Sequence, residues 1–285
     1  MSITAPRPMD RAALAPVIAR TPLARLRWAA ADGWTVTLRG LTHWVREPGT
    51  LIGSLAFPVM MVLMFGYFFG GAMQVPGGGN YREFLVPGMF VMTMVFGMGE
   101  TVTAVAADKN RGVTSRFRTM PMAPSAVVVG RAVTDMLSSL LALAVLFATG
   151  LAIGWEAHGT LGETTLAVGL LLLLRFALVW AGIYLGLLMK GPEGITMVQT
   201  LEFPIGFLTS AFVAPSTMPG WLGTIAEWNP LSSTVLAVRE LFGNPGFGGD
   251  SWIAQHALLM AVVWPVVLCA VFFPLSVRRF RNLTS

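Results

Sequence analysis

The sequence is poor in the residues that soluble catalysis uses. Its single cysteine, Cys269, sits in an apolar run near the C-terminus, which excludes a disulfide within the chain and any cysteine-rich metal site. Packing is its expected role. The three histidines, His43, His158 and His256, are far apart and form no H-E-x-x-H or comparable metal spacing. The dipeptide Gly-Lys never occurs, so there is no G-x-x-x-x-G-K-[ST] phosphate loop and no P-loop route to nucleotide hydrolysis in this chain alone. Charge is scarce as well: 12% of residues are charged, where about 25% is usual for a soluble domain.

Apolar side chains take the place of the missing charge. They make up 55% of 285 residues, and the mean hydropathy is +0.69. Too few polar groups remain to cover a globule in water. A chain whose solvent is lipid needs roughly 20 apolar residues for each spanning helix, and the supply here is enough for about six. The net charge of +5 does not point to nucleic acid, because 17 of the 19 basic residues are arginines in short clusters between apolar runs, as topology signals are.

Residues 1–50 contain no stretch apolar enough for a signal-peptide core and carry Arg7, Arg11, Arg20, Arg25, Arg27, Arg39 and Arg46, the mark of a cytoplasmic leader. The prolines up to Pro22 predict disorder there. Trp34, Leu38, Leu41 and Val45 then share one helical face and Arg39, His43 and Arg46 the opposite one, which predicts an interfacial helix over 34–45. The plain alternative is an amphipathic helix docked on protein. Six spans follow, at about 51–70, 84–107, 126–153, 165–189, 195–213 and 252–277. With a cytoplasmic N-terminus, sixteen basic residues lie inside, Arg82 and Arg239 lie outside, and Arg175 lies within a span. Both termini are therefore expected in the cytoplasm, in a multi-pass protein of the cell membrane. The outer segment 214–251 has an apolar middle too short to span, which predicts a re-entrant or interfacial hairpin anchored by Trp221 and Trp228. The expected fold is an all-α membrane protein. It has a leader at 1–33, a transmembrane domain at 34–277 with the interfacial helix and re-entrant segment, and a cytoplasmic tail at 278–285.

Ionisable groups within spans are costly, about 2.5–3.5 kcal/mol each on insertion scales, so Glu100, Arg175 and Glu202 are singled out. The two glutamates lie about 10 Å from the inner ends of their spans and Arg175 about 20 Å. They are either satisfied structural groups at helix contacts or the polar lining of a substrate path. The lining reading predicts a preference for cationic amphiphiles. Because a helical side chain leans toward its own N-terminus, a direct pair between Arg175 and either glutamate is strained. Arg131 and Asp135, four apart, are expected to pair locally near the cytosolic boundary. Gly66/Gly70, Gly150/Gly154 and Gly182/Gly186 have the GxxxG spacing that permits close helix approach.

The inner segment DKNRGVTSRFRTMPMAP (108–124) followed by GRAVTD (130–135) resembles the signature of ABC-2 type transport permeases, in particular the daunorubicin-resistance, DrrB-like branch. The REP and the apolar span after it (46–70), EFLVPGM (83–89) and NPLSSTVLAVREL (229–241) extend the resemblance over most of the chain after residue 34. The resemblance implies a six-helix half-transporter, without enzymatic activity or a bound cofactor of its own. Its partners would be a second copy or a homologous permease, and separate ATPase subunits that use ATP. It also implies that the segment after the second span docks on the ATPase, which here puts Asp108, Arg111, Gly112, Arg116, Phe117, Arg118 and Pro121 in the coupling element; the same basic residues would also serve as a plain positive-inside signal. The expected function is export of a drug, antibiotic or amphiphilic molecule. Alternatives are a polysaccharide or lipid-linked glycan permease and, from another class, an ion-coupled secondary carrier. An intramembrane enzyme would need convergent catalytic residues that the sequence lacks.

Overall fold

A computed structural model describes residues 22–68, 70, 80–111, 124–189, 191–246 and 251–282. Among these residues every regular element is helical. The long helices are α1 (Pro22–Arg46), α2 (Pro48–Phe68), α3 (Tyr81–Asn110), α4 (Pro124–Ala152), α5 (Leu161–Leu188) and α6 (Gly191–Phe207). After them come α7 (Gly220–Trp228), α8 (Pro230–Leu241), the single turn α9 (Trp252–Gln255) and α10 (Ala257–Arg281).

Of the six predicted apolar runs four coincide with helices and two differ, and the predicted amphipathic helix differs in its start. The first helix does not start at Trp34 but reaches back to Pro22, because proline is tolerated at a helix start and the Leu, Ala and Arg residues that follow are strong helix formers. The run predicted at 195–213 is helical only to Phe207. Beyond it the Thr209 hydroxyl donates to the Gly206 carbonyl at 2.6 Å and accepts from the Ala211 amide at 3.1 Å, so that a side chain takes over the backbone's bonding and ends the helix. The last run is split at His256, whose backbone (φ −113, ψ 35) leaves the helical region between α9 and α10.

Helix α5 forms the centre of the bundle, packed between α3 and α10. The predicted Gly182/Gly186 pair lies on the α3 contact: a Cβ at Gly186 would stand 2.8 Å from Val105 Cβ and 2.9 Å from the Val102 carbonyl, an approach only glycine allows. On the other side, the Ser276 hydroxyl of α10 donates to the Trp180 carbonyl of α5 at 2.9 Å. Helix α1 packs on α4, where the Thr37 hydroxyl bonds the Gly130 carbonyl at 3.1 Å. At the N-terminal end of α3, Phe90, Phe147, Trp155 and Phe242 form an aromatic cluster with centroid separations of 5.0–5.9 Å. The Trp155 indole donates from there to Asn244 at 2.8 Å.

Among the described residues four helices are long and apolar enough to cross a membrane: α3, the part of α4 from Val128 to Ala152, α5 and α10; α2 carries a shorter apolar stretch, Ile52–Phe68. Only 11% of the apolar window of α10 is buried within the chain, against 67% for α3 and α5. A face that apolar is not left to water. Trp34, Leu38 and Val45 of α1 are exposed as well. Thr37, on another face of α1, meets α4. The protein is membrane-embedded.

Candidate functional site

Toward the C-terminal end of α3, helices α1 to α5, with Gln199 of α6 and Phe280 of α10, line an open cavity of about 530 Å³. Its walls carry Arg39, Glu47, Glu100, Asp108, Arg111, Arg131, Asp135 and Arg175, four groups of each sign, set among apolar side chains such as Val36, Trp44, Ile183 and Phe280. Arg175, 2% exposed, is held by two hydroxyls and not by a carboxylate: its Nε donates to Ser139 Oγ at 2.6 Å and one Nη to Thr101 Oγ1 at 3.0 Å. Asp135 and Glu100 line the same cavity. The predicted Arg131–Asp135 pair is formed at 2.7 Å. Arg131, Asp135 and Ser139 are spaced four apart and make one polar stripe on α4, which leads from the cavity mouth to Arg175.

Of the three intramembrane residues singled out above, Glu100 and Arg175 share the cavity wall and Glu202 does not line it. Glu202 is buried on α6 against Gly99, where a Cβ would stand 2.6 Å from its Oε2. Since Arg131 and Arg175 balance Asp135 and Glu100, the lining is not the anionic surface that two glutamates alone would make.

The described start of the inner segment is tied to two other helices. Arg39 of α1 pairs with Asp108 at 3.2 Å, and Lys109 caps α5 by donating to the Leu187 and Met189 carbonyls at 2.9 and 3.0 Å, a favourable place for a cation. Arg111 caps α3 and is exposed on the cavity rim. Gly112, Arg116, Phe117, Arg118 and Pro121 lie outside the described residues.

A second polar assembly escapes sequence reasoning. Arg239, counted there as an outer-loop charge, is fully buried. Its guanidinium donates to the carbonyls of Phe84, Ser210 and Ala211 at 2.9, 2.7 and 2.7 Å and lies 3.6 Å from the centroid of the Phe84 ring. Asn229 donates to the carbonyls of Ile205 and Leu208 at 3.0 and 2.7 Å, and the Ser232 hydroxyl accepts from the Ser210 amide at 3.0 Å. The polar residues of NPLSSTVLAVREL thus satisfy the irregular backbone after α6, which a membrane interior tolerates only when protein groups do so. The signal was present in that motif, but nothing local assigned its partners.

The family model for the ABC-2 type transporter matches residues 32–242. The chain is 34% identical to a daunorubicin resistance ABC transporter permease protein, DrrB1, of Streptomyces coeruleorubidus, over 86% of this chain and 84% of that protein. It is 20% identical to a probable doxorubicin resistance ABC transporter permease protein, DrrC, of Mycobacterium tuberculosis, over 85% and 87%. It is 24% identical to a putative transport permease, ycf38, of Cyanophora paradoxa, over 75% and 73%. With a family match spanning most of its length and a relative above 30% identity along most of both chains, this membrane protein belongs to the ABC-2 type transporter family.

Proposed function

We propose that the chain is the permease subunit of an ATP-driven exporter that moves a drug, antibiotic or similar amphiphilic molecule out across the cell membrane. The observation that carries this reading is the match to the daunorubicin resistance permease along most of both chains. In this reading α2 and α6 join the four long apolar helices to make six spans, and α7 with α8 forms a re-entrant outer segment. Both termini and the segment after α3 face the cytoplasm, in keeping with the division of basic residues. ATP is bound and hydrolysed by a partner subunit, and two permease copies, identical or homologous, complete the transporter.

Coupling runs through Asp108, Arg111, Gly112, Arg116, Phe117, Arg118 and Pro121. The contacts of Asp108 with α1 and of Lys109 with α5 support this, because a push on the segment after α3 is passed to both helices that wall the cavity. Glu100 and Arg175 form the polar wall of the substrate path, and Glu202 acts on it from behind Gly99. Transport then proceeds as a population shift between inward- and outward-open states driven by the ATPase. The test is a triple replacement of Arg116, Phe117 and Arg118 by alanine, with co-purification of the ATPase and drug efflux as readouts. Normal insertion with loss of both is expected; normal efflux refutes the coupling assignment.

A further inference from the structure

Beneath the cavity wall, three polar atoms have no hydrogen-bond partner among the described residues: Nε of Arg131, Oδ2 of Asp135 and Nη1 of Arg175. All three residues line the same cavity, and Asp135 and Arg175 are 5% and 2% exposed. Such atoms are rarely left unsatisfied in a folded protein, and three at one wall mark a place where something else completes the bonding. A ligand in the cavity that meets Nη1 of Arg175 leaves the bonds of its Nε and Nη2 to Ser139 and Thr101 in place.

The chemistry of the three atoms selects the ligand. Two cationic donors call for an anionic oxygen group, and one carboxylate acceptor, with Glu100 on the same wall, calls for a cation bearing N–H. Arg131, Arg175, Asp135 and Glu100 sum to no net charge. A lone anion therefore meets two carboxylates, a lone cation meets two guanidiniums, and a zwitterion meets neither penalty. The rest of the wall sets two further charges of each sign, Arg39, Arg111, Glu47 and Asp108, among the apolar side chains of Val36, Trp44, Ile183 and Phe280, so the balance of charge is kept and a ligand with hydrocarbon also finds contact. The amphipathic α1, with Trp34, Leu38 and Val45 exposed, forms one side of the cavity, and an apolar face of that kind favours a membrane interface.

We propose that this cavity binds a phospholipid of the phosphatidylethanolamine class, with its phosphate between Arg131 and Arg175 and its primary ammonium on Asp135. The inference rests on the permease reading only for the bilayer beside the cavity; ATP, cargo and transport do not enter it. A quaternary choline headgroup offers Asp135 no N–H, and a phosphatidylglycerol headgroup offers it no cation.

The test uses the full purified chain in nanodiscs of phosphatidylcholine, doped with equal fractions of phosphatidylethanolamine and phosphatidylglycerol. Lipid retained on the protein is counted by native mass spectrometry. Phosphatidylethanolamine is expected to be retained about tenfold over the other two, the effect of one charge-assisted hydrogen bond, and Asp135→Asn abolishes the preference. Because Asp135→Asn risks misfolding, Ala104→Phe, which fills the cavity from α3 and alters no charged residue, is measured alongside and also loses the lipid. Equal retention of the three lipids, retention of none (water alone filling the cavity), or wild-type preference in either folded variant overturns the proposal. Drug efflux is measured separately, so a failed export function and a failed lipid site give different results.

Discussion

Replacing Arg239 by methionine tests whether the polar motif before the last helices holds the break in α6 together. Methionine keeps much of the length and apolar volume of the arginine stem and removes all three donors. The Ser210 and Ala211 carbonyls, in residues each 1% exposed, then lose donors at 2.7 Å, at about 1–3 kcal/mol apiece. The Phe84 carbonyl loses a donor at 2.9 Å, but a helical carbonyl retains its i+4 partner and its loss is smaller. The guanidinium contact with the Phe84 ring adds about 0.5–2 kcal/mol. Against these losses stands relief from burying a cation with no carboxylate beside it. The balance is a destabilisation of about 3 kcal/mol, or a Tm lower by roughly 6–12 °C at the scaling of large domains. Thermal unfolding of the purified protein in detergent, followed by intrinsic fluorescence, measures it. Lysine at the same position reaches at most part of the three-carbonyl fork and is expected to fall between the two. A methionine variant within about 1 °C of wild type, or a lysine variant equal to it, refutes the reasoning.

Gly186→Val places a Cβ 2.8 Å from Val105 Cβ and should cost about 1–3 kcal/mol by forcing α5 off α3. Gly169→Ala, whose new Cβ meets nothing within 4 Å, serves as the control, and equal losses in thermal stability would remove the packing argument. For topology, Cys269→Ser is combined with a single new cysteine. Asn110→Cys, at the end of α3, should react with an impermeant thiol reagent only after permeabilisation, and Leu161→Cys, 85% exposed at the start of α5, in intact cells; the reverse pattern sinks the orientation. Glu100→Gln on the cavity wall should lower efflux of cationic drugs more than of neutral ones, and Glu202→Gln, off the wall, should act more weakly. Uniform loss for all drugs in both variants would make the two carboxyls structural.

How much of this was legible in the chain depends on the range of the interaction concerned. The membrane class, most helix positions, the Arg131–Asp135 pair and the Gly182/Gly186 contact all follow from patterns within a few turns of one helix, where spacing alone sets which side chains are neighbours. Cost also speaks locally: Arg175 was conspicuous in the sequence because a charge in lipid is expensive wherever its partners are. Its partners were not legible, since Ser139 and Thr101 lie 36 and 74 residues away and only the packing of α4 and α3 on α5 brings them to it. Arg239 shows the same limit from the other side. Positive-inside counting assigned it to an outer loop, while its ligands 28, 29 and 155 residues away draw it into the interior. The separation of Glu202 from the wall that Glu100 lines was likewise decided by tertiary structure, because depth along a helix is a property of sequence and azimuth between helices is not. Composition and periodicity determined that the chain lives in lipid and where its helices run; only the packed bundle decided which buried charges meet, and which are left to be met by something else.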